Sequence, residues 1–366
     1  MKKCLTSLLI ARCMAVCFMP TVVFADGGDV EINETNFPDA AFRQFAAGFD
    51  ANGDGMLSAA ETANVTVIRC SDAVSGDVRI ADLTGIEYFP ALETLDCTAN
   101  RLTALDVSKN TNLKTLYCGA AGLEELDVSS NTSLETLHCG SNQLKTLDIS
   151  HNAALTTLDC SGNALTALDL SGNTALTTLD CSENKLSALD LSANKALAYL
   201  TCSNLPLTEL DLSSNTALTT LTCQSTNLTG LDLSQNTALV GFECADNFYA
   251  IKLGADRTFD LSTLPGCFDA AKAGSWKGGT VDGATLTVRS DADAVFYTYD
   301  CGNGYSAVFA LPIADAAPSD TNTNDTADTN HSGFPIWLMI VLILIVIPLV
   351  IAVVLVISKK NKSPKQ

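Results

Sequence analysis

The residues best placed to do chemistry lie at 50–61, where the chain reads DANGDGMLSAAE. Their spacing fits the calcium-loop pattern D-x-[DN]-x-[DN]-G-x5-E at every position. Asp50, Asn52 and Asp54 supply hard oxygen donors, Met56 offers its backbone carbonyl, Ser58 acts directly or through water, and Glu61 is the bidentate ligand. Gly55 stands at the sharp turn such a loop needs, and Leu57 is the apolar residue that pins it to a neighbour. The expected cofactor is one calcium ion in a structural role. The competing reading is an Asp/Gly-rich turn without metal. Phe42, Phe45 and Phe49 precede the loop at helical spacings on one face, and 59–63 can open a short exit helix. Only one such loop occurs, which disfavours a dockerin-type module, and nothing points to a helix pair that opens as a sensor does.

A second group is spread along the chain. Tyr117, His138 and Asp159 are 21 residues apart, and the repeat described below places them outward and in register. With Tyr199 as a lone addition they are the candidate ligand face, because Tyr is enriched at interfaces. The competing reading is a solvated strand surface. Catalytic patterns are missing: there is no G-x-S-x-G, H-E-x-x-H, P-loop or Rossmann fingerprint, and the remaining histidines are His151 and His331. Carboxylates are plentiful enough for a glycosidase pair, but a regular coil offers a face and not a deep pocket. The chain is therefore expected not to be an enzyme.

The elements that must hold these residues come from an internal repeat. Cys97, Cys118, Cys139, Cys160, Cys181, Cys202, Cys223 and Cys244 recur every 21 residues, each preceded by apolar residues five and two positions earlier. Asp106, Asp127, Asp148, Asp169, Asp190, Asp211 and Asp232 open a second conserved half-unit of form Asp-apolar-Ser, with Asn110 and its six counterparts following. A coil of 21 residues cannot bury its own leucines, so successive coils must stack with parallel strands about 4.8 Å apart. Leu95, Cys97 and Leu102 should point inward, Asp96 and Thr98 outward. The Asp-apolar-Ser half is expected to form a second short strand in most coils, its carboxylates accepting local backbone or Ser hydroxyl bonds. The ladder cysteines read as small buried hydrophobes, and Cys267–Cys301 is the better candidate for a disulfide.

The unit at 155–175, LTTLDCSGNALTALDLSGNTA, resembles the leucine-rich repeat, with Cys in its third apolar slot. The stretch 83–248 is similar to bacterial leucine-rich-repeat surface proteins of the internalin-like kind, and the resemblance extends to the EF-hand-like segment ahead of the repeats. The fold class implied is a mainly β solenoid with a short N-terminal helical EF-hand-like cap, a small C-terminal β module and one transmembrane helix. The implied role is extracellular recognition or adhesion toward an unknown protein or glycan, with calcium stabilising the rod. The alternatives are a purely architectural spacer and, last, a surface hydrolase.

Composition and the chain ends complete the expectation. Of 366 residues, 21 are Lys or Arg and 41 Asp or Glu, a net charge of −20. Seven of the basic residues and none of the acids lie in 1–25 and 358–366, leaving 14 basic against 41 acidic residues in 26–333. Such a surface is repelled by nucleic acid. Residues 1–25 read as a signal peptide, 26–64 as the EF-hand-like segment, 65–91 as the N-terminal cap and 92–250 as eight repeats. Residues 251–313 read as a β module built on alternating segments at 284–289, 294–299 and 305–311. Residues 314–333 read as an acidic stalk, 334–357 as a charge-free transmembrane helix long enough for a bilayer core of about 30 Å, and 358–366 as a basic cytoplasmic tail. The expected localisation is a single-pass cell-membrane protein with an extracellular N-terminal ectodomain. The arrangement resembles that of a Gram-positive bacterium, without an LPxTG-like sorting motif.

Overall fold

A computed structural model of the chain describes residues 28–71 and 79–314. They lie in one structural unit, Met1–Ala316. Strand β1 (Val30–Glu31) is followed by helix α1 (Ala40–Ala46), strand β2 (Met56–Leu57) and helix α2 (Ala59–Thr62). Asp39 caps α1 by accepting the N–H groups of Ala41 and Phe42, and Ser58 and Glu61 form a reciprocal capping box on α2. Phe37 and Phe42 are fully buried, and Phe49 lies edge-on to Phe89 at 5.2 Å, joining this segment to the solenoid's first coil.

The solenoid is a nine-stranded parallel sheet: β3 (Val67–Arg69), β4 (Thr94–Asp96), β5 (Thr115–Tyr117), β6 (Thr136–His138), β7 (Thr157–Asp159), β8 (Thr178–Asp180), β9 (Tyr199–Thr201), β10 (Thr220–Thr222) and β11 (Gly241–Glu243). Every strand pairs with the next without a register shift, Leu116 on Leu137 and Leu158 on Leu179. The central residue of each three-residue strand points inward. Leu95, Cys97 and Leu102 are buried while Asp96 and Thr98 reach the surface, so the expected facing holds. Each fully buried Leu contributes roughly 1.5–3 kcal/mol by leaving water.

Two asparagine rows tie the coils together. Asn131 Nδ2 donates to the carbonyls of Val107 and Asn110 in the preceding coil, and the pattern repeats to Asn236. In the other row, Asn142 accepts from the N–H groups of Ala121, Gly122 and Leu123 and donates to Cys118 and Cys139 carbonyls.

Three expectations need correction. The Asp-apolar-Ser half forms no second strand among the described residues; one isolated bridge, Asp106 to Asp127, is all that pairs there. The cause is local: each Asp Oδ1 accepts the N–H of the Ser two residues on, at 2.9 Å for Asp106, Asp169 and Asp211, which closes an Asx turn and curls the backbone away from a ladder. All eleven described cysteines are free, Cys267 and Cys301 included. The membrane-spanning localisation is also overturned. Among the described residues no helix is long and apolar enough to cross a membrane. The longest described α-helix has seven residues, about 10 Å at 1.5 Å per residue against a hydrocarbon core near 30 Å. The segments 1–25, 315–333, 334–357 and 358–366 lie outside the described residues, as does Val78 of the expected N-terminal cap.

After the last coil come β12 (Asn247–Phe248), β13 (Thr258–Asp260), β14 (Ala273–Lys277), β15 (Gly279–Asp282), β16 (Thr285–Val288), β17 (Ala294–Gly302) and β18 (Tyr305–Pro312). They make a four-stranded sheet in the order β12-β18-β17-β14 and a three-stranded sheet β13-β16-β15. This module covers the open end of the coil stack. Leu233 N–H donates to Cys301 O at 2.7 Å, Tyr297 Oη to Thr229 O at 2.5 Å and Tyr305 Oη to Leu239 O at 2.8 Å. Backbone groups that another coil would otherwise satisfy are thereby paired.

Candidate functional site

The loop at 50–61 turns through Gly53 (φ 74°) and Gly55 (φ 84°), both in the left-handed region that glycine tolerates. Asp50 Oδ1 accepts from Gly53 N–H at 2.7 Å and Oδ2 from Gly55 N–H at 2.9 Å. Asn52 Oδ1 and Asp54 Oδ1 each accept from the N–H two residues on. Glu61 Oε1 reaches back to Ala51 N–H at 2.8 Å, and Oε2 accepts from Ser58 N–H and hydroxyl at 2.8 and 2.7 Å. The Ser58 N–H and hydroxyl, with the Ala51 N–H, hold the Glu61 carboxyl below its ordinary pKa. Donor chemistry fits a hard cation, because every candidate side chain presents oxygen and the Asp50 oxygens and Glu61 Oε1 each keep a second lone pair. The side chains nonetheless stay on loop N–H groups, and among the described residues no three His, Cys, Asp or Glu converge as a metal-holding group. Met56 and Leu57 pair antiparallel with Glu31 and Val30. A two-residue strand thus flanks the loop where the sequence reading looked for a second loop and found none.

On the sheet face the structure brings three of the four candidate ligand residues together. Tyr117 and His138 are register partners, with ring centroids 4.9 Å apart. His138 and Asp159 are the next register pair, Nδ1 to Oδ2 3.5 Å, too long for a hydrogen bond. Asp159 Oδ1 is held by Ser161 N–H at 3.0 Å and Ser161 Oγ at 2.7 Å, which fixes the carboxylate and leaves Oδ2 able to accept more. These side chains form one wall of a depression of about 300 Å³. Backbone of Gly119 and Gly140 floors it, and Thr98, Ala120, Ser141 and Ser161 complete the lining. Tyr199 stands apart. It is half exposed on β9, in the threonine row at the start of the strands and not in the row that holds Tyr117.

Gly119 and Gly140 line the depression with backbone alone, and the sequence reading did not single them out. The residue after each ladder Cys is Thr98, Gly119, Gly140, Ser161, Ser182, Ser203, Gln224 and Ala245. Only the second and third coils lack a side chain there, and these same coils carry the rings of Tyr117 and His138. A Cβ on Gly140 would stand 2.9 Å from Asp159 Oδ1 and 3.0 Å from Ser161 Oγ. Comparing the repeats column by column carries this signal.

No family model matches the chain. Over 76 residues, 20% of its length, it is 40% identical to Internalin J of Listeria monocytogenes serotype 4b (strain F2365). The chain is a leucine-rich-repeat solenoid similar to the internalins. It spans 8% of the length of that relative. Among solved structures, the functional domain of InlJ from Listeria monocytogenes, described as including a cysteine ladder, matches over 79% of this chain and 99% of its own at 23% identity, TM-score 0.35. The internalin InlF from the same species matches over 61% and 74% at 22% identity, TM-score 0.48. Internalin C2 matches over 54% and 98% at 17% identity, TM-score 0.42.

Proposed function

We propose that this leucine-rich-repeat chain is a recognition module, not an enzyme, whose parallel-sheet face engages an extracellular macromolecular partner. The observation that carries the reading is the depression at Tyr117, His138 and Asp159. Three successive coils contribute to it, each on backbone fixed by a register-perfect ladder, so the side chains are preorganised and cost little to order on binding. The test is affinity capture with the purified chain, its Tyr117→Ala/His138→Ala variant, and an Asp190→Asn variant altered on the loop row away from the sheet. Species retained by wild type and by Asp190→Asn, and lost by the double variant, support the reading. Species captured equally by all three proteins overturn it.

The same proposal includes calcium at 50–61, held by Asp50, Asn52, Asp54, the Met56 carbonyl, Ser58 and Glu61. The ion would supply positive charge that offsets the clustered carboxylates and stiffens the segment leading into the first coil. Millimolar calcium should raise the melting temperature, and Asp50→Asn with Glu61→Gln should abolish the rise. A melt indifferent to calcium, with no heat of binding by calorimetry, removes the metal from the account.

A further inference from the structure

The backbone N–H after each ladder Cys is satisfied in one of two ways in most coils. An Asp just before the Cys accepts it, as Asp96 does for Thr98, Asp159 for Ser161 and Asp180 for Ser182. Otherwise a Ser hydroxyl one coil earlier accepts it, as Ser182 Oγ does for Ser203 and Ser203 Oγ for Gln224. At Gly119 and Gly140 neither device is present. Tyr117 and His138 replace the Asp, and Gly119 has no hydroxyl to offer Gly140. Among the described residues no acceptor reaches either N–H. A Cβ on Gly119 would lie 3.9 Å from Gly140 N, so this N–H borders the space that a residue-119 side chain would fill. Gly140 is buried, so its N–H can be paired only from the depression.

The depression therefore asks for an oxygen over its floor and a donor at the Asp159 end. An anion would satisfy the floor but meet Asp159 Oδ2. A guanidinium or ammonium would satisfy Asp159 but leave the floor unpaired. A secondary amide carries an acceptor oxygen and a donor nitrogen on one carbon and suits both. The Ala120 methyl lines the same depression and offers apolar contact to a terminal methyl. The Thr98 and Ser141 hydroxyls border the same space and complement further hydroxyls.

We infer that this depression receives the acetamido group of an N-acetylated sugar carried by the partner. The inference rests on the proposed reading of the sheet face. The acetamido oxygen accepts from Gly140 and Gly119, its N–H donates to Asp159 Oδ2, and its methyl packs beside Ala120 and the Tyr117–His138 pair.

Saturation-transfer NMR on the full chain with N-acetylglucosamine and its β-1,4 disaccharide tests it, with glucose, glucosamine and N-acetyl-asparagine amide as competitors. The acetamido methyl should receive the strongest transfer, and glucose and glucosamine should not compete. Asp159→Asn keeps the bond to Ser161 through Oδ1 and should weaken binding about tenfold or more. Gly119→Ser supplies the hydroxyl used elsewhere in the ladder and should abolish binding; its Cβ would stand 3.2 Å from Gly140 O, so a thermal melt accompanies it to show that the variant is folded. Asp190→Asn should bind as wild type. Equal competition by glucose, tighter binding of the asparagine amide, no transfer at millimolar sugar, or full binding by folded Asp159→Asn overturns the assignment. If N-acetylated sugars fail while a captured partner is still lost with Tyr117→Ala/His138→Ala, the slot chemistry is wrong and the recognition face stands. If that partner is retained as well, both fall.

Discussion

Removing one rung of the buried asparagine ladder should destabilise the solenoid by an amount that its hydrogen bonds fix. Asn173 is fully buried. Its Nδ2 donates to Ile149 O at 3.2 Å and Asn152 O at 2.9 Å, both in the preceding coil. Those carbonyls each keep one other partner: Asn152 N–H on Ile149 O, and Leu155 N–H on Asn152 O. Asn173→Ala therefore removes two bonds worth about 1 kcal/mol each without stranding either carbonyl. It also deletes Asn173 Oδ1, which no donor reaches among the described residues, so part of the loss is returned. The expected cost is about 1–2 kcal/mol. Asn173→Asp has the same shape but cannot donate, and it sets a carboxylate against two carbonyls in a dry interior. Its cost should exceed about 3 kcal/mol unless the acid protonates. Urea unfolding followed by circular dichroism gives both numbers, and raising the pH should widen the gap between the variants. An Asp variant as stable as the Ala variant at neutral pH would refute this account of the ladder.

Other outcomes follow from the same structure. The second residue after each ladder Cys is left-handed in all eight coils, at Ala99, Ala120, Ser141, Gly162, Glu183, Asn204, Ser225 and Asp246, with φ between 51° and 61°. Gly162→Ala should cost about 1 kcal/mol, more if Ser141 N, 3.3 Å from the new Cβ, cannot yield, and Glu183→Gly should be neutral or stabilising by thermal melt. Burial pushes the Cys139 and Cys202 thiols up to about 12, against an unfolded value near 8.5. A raised folded pKa means stability is fully present below the unfolded value and lost as pH rises toward the folded one, so unfolding midpoints should fall steadily from about pH 9. Native alkylation at pH 8, mapped by peptide, should label Cys267 first among the described cysteines, since it is the exposed one. At the acid end, the Ser129, Ser150 and Ser171 hydroxyl and N–H groups hold Asp127, Asp148 and Asp169 below the usual carboxylate range. Their folded pKa values are depressed, so their contribution is present above about pH 3.9 and lost as pH falls through the folded values. Replacing all three by Asn should flatten the acid limb of a stability profile.

What the sequence discloses here follows from the one-dimensional nature of the coil. Each position in a 21-residue period meets its own counterpart above and below, so composition by column reports burial directly, and the inward Leu and Cys rows are legible without coordinates. The alternating segments around 285–288, 294–302 and 305–312 are legible for the same reason, since their inward residues Leu286, Val295 and Phe309 stand at period two. Ala273–Lys277 is not, because AGSWK carries a bulge and no alternation. The Asp-apolar-Ser half misleads because its composition suits a strand while the Asx bond imposes a turn. The Val30–Glu31 strand is too short to show any period, so the loop's pairing partner emerges only from the fold. The left-handed positions stay hidden because evolution filled seven of the eight with side chains that merely tolerate the conformation.

The depression leaves little trace in any single repeat, because backbone glycines complete its lining. A column of Thr, Ser and Gln with two glycines looks like a neutral surface. The repeat turns those glycines into information: five coils show how the N–H after the Cys is satisfied, and of the three that do not, at Gly119, Gly140 and Ala245, two are adjacent and lack a side chain there. Tyr117 and His138 alone suggest a contact surface of unspecified chemistry. Together with the unpaired Gly119 and Gly140 donors and the half-engaged Asp159 carboxylate, they carry the proposal of where a ligand accepts and where it donates. In a periodic fold the period supplies stability, and chemistry can enter only where the period is broken, so Tyr199, which breaks its threonine row without breaking any backbone hydrogen bond, should contribute contact area at most.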